Sequence, residues 1–87
     1  MGMENEMDKH YDQELKLHTD YFQDVLEETK TFEIRRNDRD FQVGQIVCLR
    51  EFDNHNMYTG NAVSRIITYI TDYEQAEDFV VFGMVKF

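Results

Sequence analysis

The stretch "KTFEIRRNDRDFQVGQ" places Lys30, Glu33 and Arg35 at a spacing that could do chemistry. In an extended strand Glu33 and Arg35 lie two apart and share one face. Lys30 stands at the strand's entry, where simple alternation does not yet apply. Two chemistries fit these residue types. A lysine beside a glutamate can serve as an acid–base pair once the amine is desolvated. Alternatively, an ammonium and a guanidinium held by one carboxylate can recognise a phosphate or a base edge, for which the planar Arg fork is suited. The same residues also make an ordinary ion pair on a strand, contributing about 0–1 kcal/mol if exposed. Taken on residue types alone, that plain ion pair is the favoured reading.

Arg36 and Arg39 extend the basic run and are secondary candidates for the rim of such a site. Arg36, Asp38, Arg39 and Asp40 alternate in sign, which predicts a turn that neutralises itself. Arg50 and Arg65 are expected to make cross-strand contacts with Glu51 or other acids. Tyr58 and Tyr73, in or beside loops, are open to stacking on bases, whereas Tyr21 and Tyr69 are expected in the core. Cys48 lies in an apolar run and reads as a buried thiol. His10, His18 and His55 with Cys48 show no spacing typical of a metal site, so neither a metal nor a cofactor is expected. No Walker loop, nucleophile elbow or His-Glu-x-x-His pattern is present.

The chain has 87 residues and a formal net charge of -9. That length suits one domain with a modest core, and 14% aromatic residues suit pleated, β-rich packing. An acidic total argues against indiscriminate nucleic-acid binding, which depends on neutralising phosphates. The charge is uneven, however. Between Lys30 and Arg65 there are six basic and five acidic residues; outside that window there are three basic and thirteen acidic. A local positive face on an acidic body is therefore allowed. No apolar stretch approaches the ~20 residues that span a bilayer, and the acidic start "MGMENEMDKHYDQ" lacks the apolar core of a signal peptide. The expected setting is the cytoplasm.

The elements that must position these residues follow from period and turn chemistry. Residues 1–12 read as a mobile acidic tail and 13–87 as the domain. "ELKLH" alternates, with Leu15 and Leu17 on one face. "TDYFQDVLEE" switches to helical spacing at Phe22, Val25 and Leu26, with Thr19 as N-cap. "TFEIRR" alternates again, Phe32 and Ile34 on one side, Glu33 and Arg35 on the other. "NDRD" is a polar turn, and Gly44 is expected to supply a positive φ. "IVCLREF" is a strand covered on both faces, "DNHNMYTGN" a hairpin loop with Gly60 at its tip, and "AVSRIITYIT" and "FVVFGMVKF" are the last strands. Gly83 marks a bulge or a close backbone approach. One helix cannot cover both faces of an open five-stranded sheet, so a mainly β pseudo-barrel plugged by the helix is predicted.

From Gln13 to Phe87 the chain resembles the ASCH domain (activating signal cointegrator homology) of the PUA-like superfamily. The family motif is Gly-x-Lys-x-x-Glu-x-Arg, and Lys30, Glu33 and Arg35 match it. The following "RNDRDFQVG", "YTG" and "FVVFG" are similar to a small bacterial and phage subfamily known only as RNA-binding ASCH-like. Glu28 stands at the motif glycine, and Gln45 replaces an Asp after the Val-Gly pair. The resemblance implies a PUA-like five-stranded barrel with a cleft lined by the motif. Some ASCH proteins deacetylate N4-acetylcytidine with a Lys, a Thr nucleophile and a Glu. Glu33 occupies that Thr position, and Thr31 is about 7 Å away along the strand, so the resemblance argues against this activity.

The leading expectation is an RNA- or nucleotide-binding module whose ligand meets Lys30, Glu33 and Arg35, with Arg36 and Arg39 at the rim. The alternatives are a small hydrolase acting on a modified nucleoside or RNA, and a protein-interaction module using the acidic surface.

Overall fold

The computed structural model describes residues 10–87. Most of the predicted mobile tail, residues 1–9, lies outside the described residues. Its end is anchored: the Asp12 N–H donates to Ile46 O at 2.7 Å, and its carboxylate accepts from the Ile46 N–H at 2.8 Å.

The chain forms β1 (Gln13–His18), α1 (Thr19–Leu26), β2 (Phe32–Arg36), β3 (Ile46–Phe52), β4 (Tyr58–Thr71) and β5 (Phe79–Val85). The five strands make one mixed sheet in the order β1-β3-β4-β5-β2, curled into a half-barrel. β1 runs parallel to β3, and every other pairing is antiparallel. The predicted order of one strand, one helix and four further strands is therefore observed, as is the mainly β class.

The core is built where alternating strands turn one face to the concave side. Leu15 and Leu17 of β1, Val47 and Leu49 of β3, Ile67 of β4, and Val80, Phe82 and Met84 of β5 are buried, with Phe22 and Val25 of α1 and Phe41 packed among them. Leu26, placed on the apolar helix face by spacing, is 44% exposed. Tyr21 and Tyr69, expected in the core, are 51% and 67% exposed. Periodicity assigns a residue to a face, but which face is covered depends on what packs over it.

β2 inverts the usual arrangement. Glu33 is only 4% exposed, whereas Phe32 and Ile34 are 44% and 53% exposed. β2 contributes no apolar side chain to the buried core; its inward position carries a carboxylate.

Two buried charged residues of the sheet hold the two ends of the helix. At the N-terminus the cap is His18, not Thr19: its Nδ1 accepts from the Asp20 N–H at 3.0 Å. Thr19 is the first helical residue and donates its hydroxyl to Glu51 at 2.6 Å. At the C-terminus the buried Arg65 donates to Val25 O at 3.0 Å and Leu26 O at 3.5 Å. A negative charge thus sits near the positive end of the helix dipole and a positive charge at the negative end. The helix has no basic residue in its own last turn. Arg65 therefore meets backbone carbonyls, not the cross-strand acid predicted for it.

α1 ends in a Schellman motif. The Glu28 N–H donates to Val25 O at 3.1 Å and the Thr29 N–H to Asp24 O at 2.9 Å, while Glu28 takes φ 66°. A non-glycine residue in this left-handed conformation carries a steric penalty of about 1 kcal/mol. Glu28→Gly is accordingly expected to raise stability by about 1 kcal/mol in urea denaturation, less any small loss of the exposed Glu28–Lys86 pair. An unchanged or lowered midpoint would count against strain at this position.

The turns refine the sequence reading. Gly44 has φ 96°, as expected. The β3–β4 hairpin tip is not at Gly60. It lies at 53–57, where Asn56 has φ 60° and the Asp53 carboxylate accepts from His55 and Met57 N–H groups. Gly60, with φ 97°, lies inside β4, where the register shifts between the pairs Arg50–Ala62 and Phe52–Tyr58. The Glu51 carboxylate fills that irregularity, accepting from the Thr59 hydroxyl and the Asn61 amide.

Candidate functional site: a cleft at the seam of the half-barrel

β1 and β2 terminate the sheet order, so the two free edges face each other across a seam. Edge strands present unpaired carbonyls that need donors. Three basic side chains supply them. Arg35 Nη2 donates to Lys16 O at 2.7 Å, Arg39 Nη1 to Glu14 O at 2.6 Å, and Lys30 Nζ to Phe32 O at 2.9 Å. The basic run around β2 is thus partly structural, lacing a barrel that backbone pairing leaves open.

At one part of this seam lies a cleft of about 430 Å³, lined by Lys16 and His18 of β1, Tyr21 of α1, Lys30, and Phe32, Glu33, Ile34 and Arg35 of β2, with Leu17 and Phe52 completing it. Lys30, Glu33 and Arg35 meet there; period two puts Glu33 and Arg35 on one face, and Lys30 reaches them from the entry of the strand. Glu33 is the buried centre. One carboxylate oxygen accepts from Lys30 Nζ and the other from Arg35 Nε at 3.0 Å. Lys30 and Arg35 remain partly open, at 21% and 24% side-chain exposure. Arg35 Nη1 has no protein partner among the described residues, so it can still donate into the cleft. The fork is held by Glu33 and Lys16 O and offers its remaining donors in a fixed plane.

The cleft also contains residues that the motif does not name. Lys16 Nζ lies 4.7 Å from the Phe52 ring centroid and donates to Asn56 Oδ1 at 2.6 Å. His18 packs edge-on against Phe52 and shares a hydrogen bond with Asn54. Tyr21 lies within cation–π reach of Lys30, 5.8 Å from centroid to Nζ. Parity alone could have put Lys16 opposite Leu15 and Leu17; nothing local indicates that β2 lies across from it. Three cations (Lys16, Lys30 and Arg35) and one carboxylate (Glu33) line this cleft, making it net positive on a chain of net -9.

The secondary candidates lie apart from it. Arg36 stacks its guanidinium 5.0 Å from the Phe79 centroid, and Arg39 caps Glu14 O. They share a smaller depression with Arg35, Asp38 and Phe41. No ion pair among the described residues joins Arg36 or Arg39 to Asp38 or Asp40, so the predicted self-neutralised turn does not form. The turn is closed instead by Asn37, whose side chain accepts from the Phe41 N–H at 2.9 Å. Glu28, which stands at the motif glycine, pairs with Lys86 at 3.4 Å and does not line the cleft.

Two further carboxylates are tuned by their surroundings. The Tyr11 hydroxyl, and then Arg50, hold the Glu14 carboxyl below its usual value; Arg50 in turn stacks 3.8 Å from the Tyr58 centroid. The Thr19 hydroxyl, the Asn61 amide and the Thr59 hydroxyl together hold Glu51 below its usual value. A carboxyl whose folded pKa is depressed stabilises the fold above the unfolded value, and that contribution disappears as pH falls through the folded one. Stability is therefore expected to decline with acid below the ordinary glutamate range. In Glu51→Gln the acid slope, measured by urea denaturation across pH, should be shallower; an identical slope would remove Glu51 from this role. Cys48, read as buried, is half-buried beside Glu14 and Arg50. Among the described residues no helix is long and apolar enough to cross a membrane.

The sequence is similar to a phage protein and matches one family model. It is 39% identical over 69 residues to the "Uncharacterized 12.9 kDa protein in GpA 3'region" of Escherichia phage P2, an alignment covering 78% of this chain and 62% of that protein. Less than two thirds of that relative's length is thus represented here. A family model, described as "Domain of unknown function (DUF3850)", matches residues 12–84, from the anchoring Asp12 through all five strands to Met84. The chain that builds this basic, aromatic-lined seam cleft belongs to the DUF3850 family.

Proposed function

We propose that this protein is a cytoplasmic RNA- or nucleotide-binding module, of the kind its resemblance to ASCH and PUA-like domains implies, and that its ligand enters the seam cleft. The observation that carries the reading is a net-positive, aromatic-lined cleft on a strongly acidic chain. Lys16, Lys30 and Arg35 offer donors to phosphate or to a base edge, and Tyr21, Phe32 and Phe52 offer π-faces. Glu33 orients the two motif cations and leaves Arg35 with unused donors. The surrounding acidity excludes duplexes and long polyanions that would need a broad basic face.

The test is fluorescence anisotropy with short single-stranded RNA over a range of salt. Wild-type binding should weaken with salt with a log–log slope of about -1.4 to -2.1, the value for two or three neutralised phosphates on a single strand. Lys16→Ala, at an exposed position, and Arg35→Ala should each reduce affinity at least about tenfold, a loss of ~1.4 kcal/mol. Circular dichroism establishes that both variants fold. No binding at any salt would overturn the proposal.

The hydrolase reading gains less support. Among the described residues the cleft lining contains no Ser, Thr or Cys, so a covalent mechanism would lack a hydroxyl or thiol nucleophile of the Ser, Thr or Cys kind. In this reading water attacks, with Lys30 and Glu33 as the acid–base pair. Turnover of acylated cytidine or RNA that disappears in Lys30→Ala would establish it.

A further inference from the structure

We infer a second contact feature on the convex face of the sheet: a slot floored by Gly83 and walled by Phe32 and Tyr69 that takes one unpaired nucleobase of a single strand leaving the cleft. This deepens the RNA reading above and rests on it.

The slot follows from register. Phe32 of β2 and Tyr69 of β4 both stand opposite Gly83 of β5, one on each side. Gly83 lies between Phe82 and Met84, which are buried on the concave face, so its missing side chain faces outward. Neither backbone nor packing requires a glycine there. Its φ lies outside the left-handed region, and a Cβ would meet Thr68 Oγ1 at 3.7 Å, Tyr69 Cβ at 3.9 Å and Thr31 O at 4.0 Å, all ordinary contacts. A strand-interior glycine nevertheless costs about 0.5–1 kcal/mol relative to alanine; such glycines mark a bulge, and β4 shifts register opposite Gly83, or a place where a ligand approaches the backbone.

The walls are open. Phe32 is 44% and Tyr69 67% exposed, and no ring–ring contact joins them among the described residues. Strands two apart lie about 10 Å from one another, so a ring seated over Gly83 can meet both aromatics at about 5 Å between centroids. The register shift between Ile67 and Tyr69 falls opposite this point, and such irregularities re-aim side chains.

The charges favour a nucleobase over an apolar side chain. Lys30 stands 5.0 Å from the Phe32 centroid and belongs to the cleft as well. Phe32 therefore borders both features, and a strand whose phosphate contacts Lys30 can place one base in the cleft and the next in the slot. Stacking on aromatic faces is the usual means of holding single-stranded bases.

The experiment compares hexauridylate with uridine monophosphate on wild type, Tyr69→Ala and Gly83→Val, none of which alters a cleft residue. Hexamer affinity should fall about fivefold or more in both variants, the loss expected for one stacked base, while mononucleotide affinity stays unchanged. Wild-type binding of the hexamer that is unaffected by both substitutions overturns the slot and leaves the cleft reading standing. Binding of neither probe by wild type overturns both. A dimer in RNA-free sedimentation that Tyr69→Ala dissociates would identify the slot as a contact between copies and overturn the inference.

Discussion

Arg65→Ala is expected to destabilise the protein by about 3 kcal/mol, the largest single-residue effect anticipated outside the apolar core. Arg65 is 5% exposed and has no carboxylate partner among the described residues. Its guanidinium donates instead to Ser64 O, Val25 O and Leu26 O. Removing the donors takes a charge-assisted bond, worth about 1.5–3 kcal/mol net, from the buried Val25 carbonyl, which keeps only the Glu28 N–H, and weaker bonds from the part-buried Leu26 and Ser64 carbonyls. The favourable interaction with the helix dipole is lost as well, as is the packing of the stem. Some of this is offset because a desolvated charge no longer has to be buried. For a domain of this size, 3 kcal/mol lowers Tm by roughly 12–24 °C. Arg65→Met separates the two causes, because it restores the stem's volume but not the donors. It should recover less than about half of the loss in urea denaturation at unchanged m-value. A methionine variant as stable as wild type would show that the helix end does not depend on this cation.

Glu33→Ala should cost about 2–3 kcal/mol, and its effect should be strongly coupled to that of Arg35→Ala. Glu33 is buried with both oxygens occupied. Breaking a buried pair by removing one partner usually costs 3–5 kcal/mol, but Lys30 and Arg35 are partly exposed and can turn to water, which lowers the figure. Arg35→Ala acts differently: it leaves Glu33 with Lys30 alone and takes the cap from Lys16 O. The double variant should be less destabilised than the sum of the two singles, by about 1–2 kcal/mol of coupling. Strict additivity would mean that the contact seen between them contributes no interaction energy.

Glu33 and Arg35 also show how far sequence reaches. Their meeting with Lys30 does not follow from alternation, because Lys30 lies at the strand's entry, outside it, whereas their shared face follows from a period of two. The element order was legible for the same reason, since helical spacing, strand alternation and turn residues are local. The direction of β2 was not. Alternation put Phe32 and Ile34 together and Glu33 and Arg35 together, but it could not say that the charged pair would face inward and the apolar pair outward. That depends on β1, whose edge carbonyls lie across the seam and take the guanidinium. For the same reason the basic residues Arg35 and Arg39 could not be recognised as caps for carbonyls 19 and 25 residues away.

What the sequence by itself determined was therefore the set of elements, the mainly β class, and the shared face of Glu33 and Arg35, because each rests on a local period. What only the tertiary structure decided was the strand order, with β1 parallel to β3 and facing β2 across an open seam, and the partners this order creates: Lys16, His18 and Tyr21 in the cleft, Glu51 and Arg65 at the ends of the helix, and Phe32 and Tyr69 astride Gly83. Strand order is set by which faces can be buried together, a property of the whole sheet that no local period encodes.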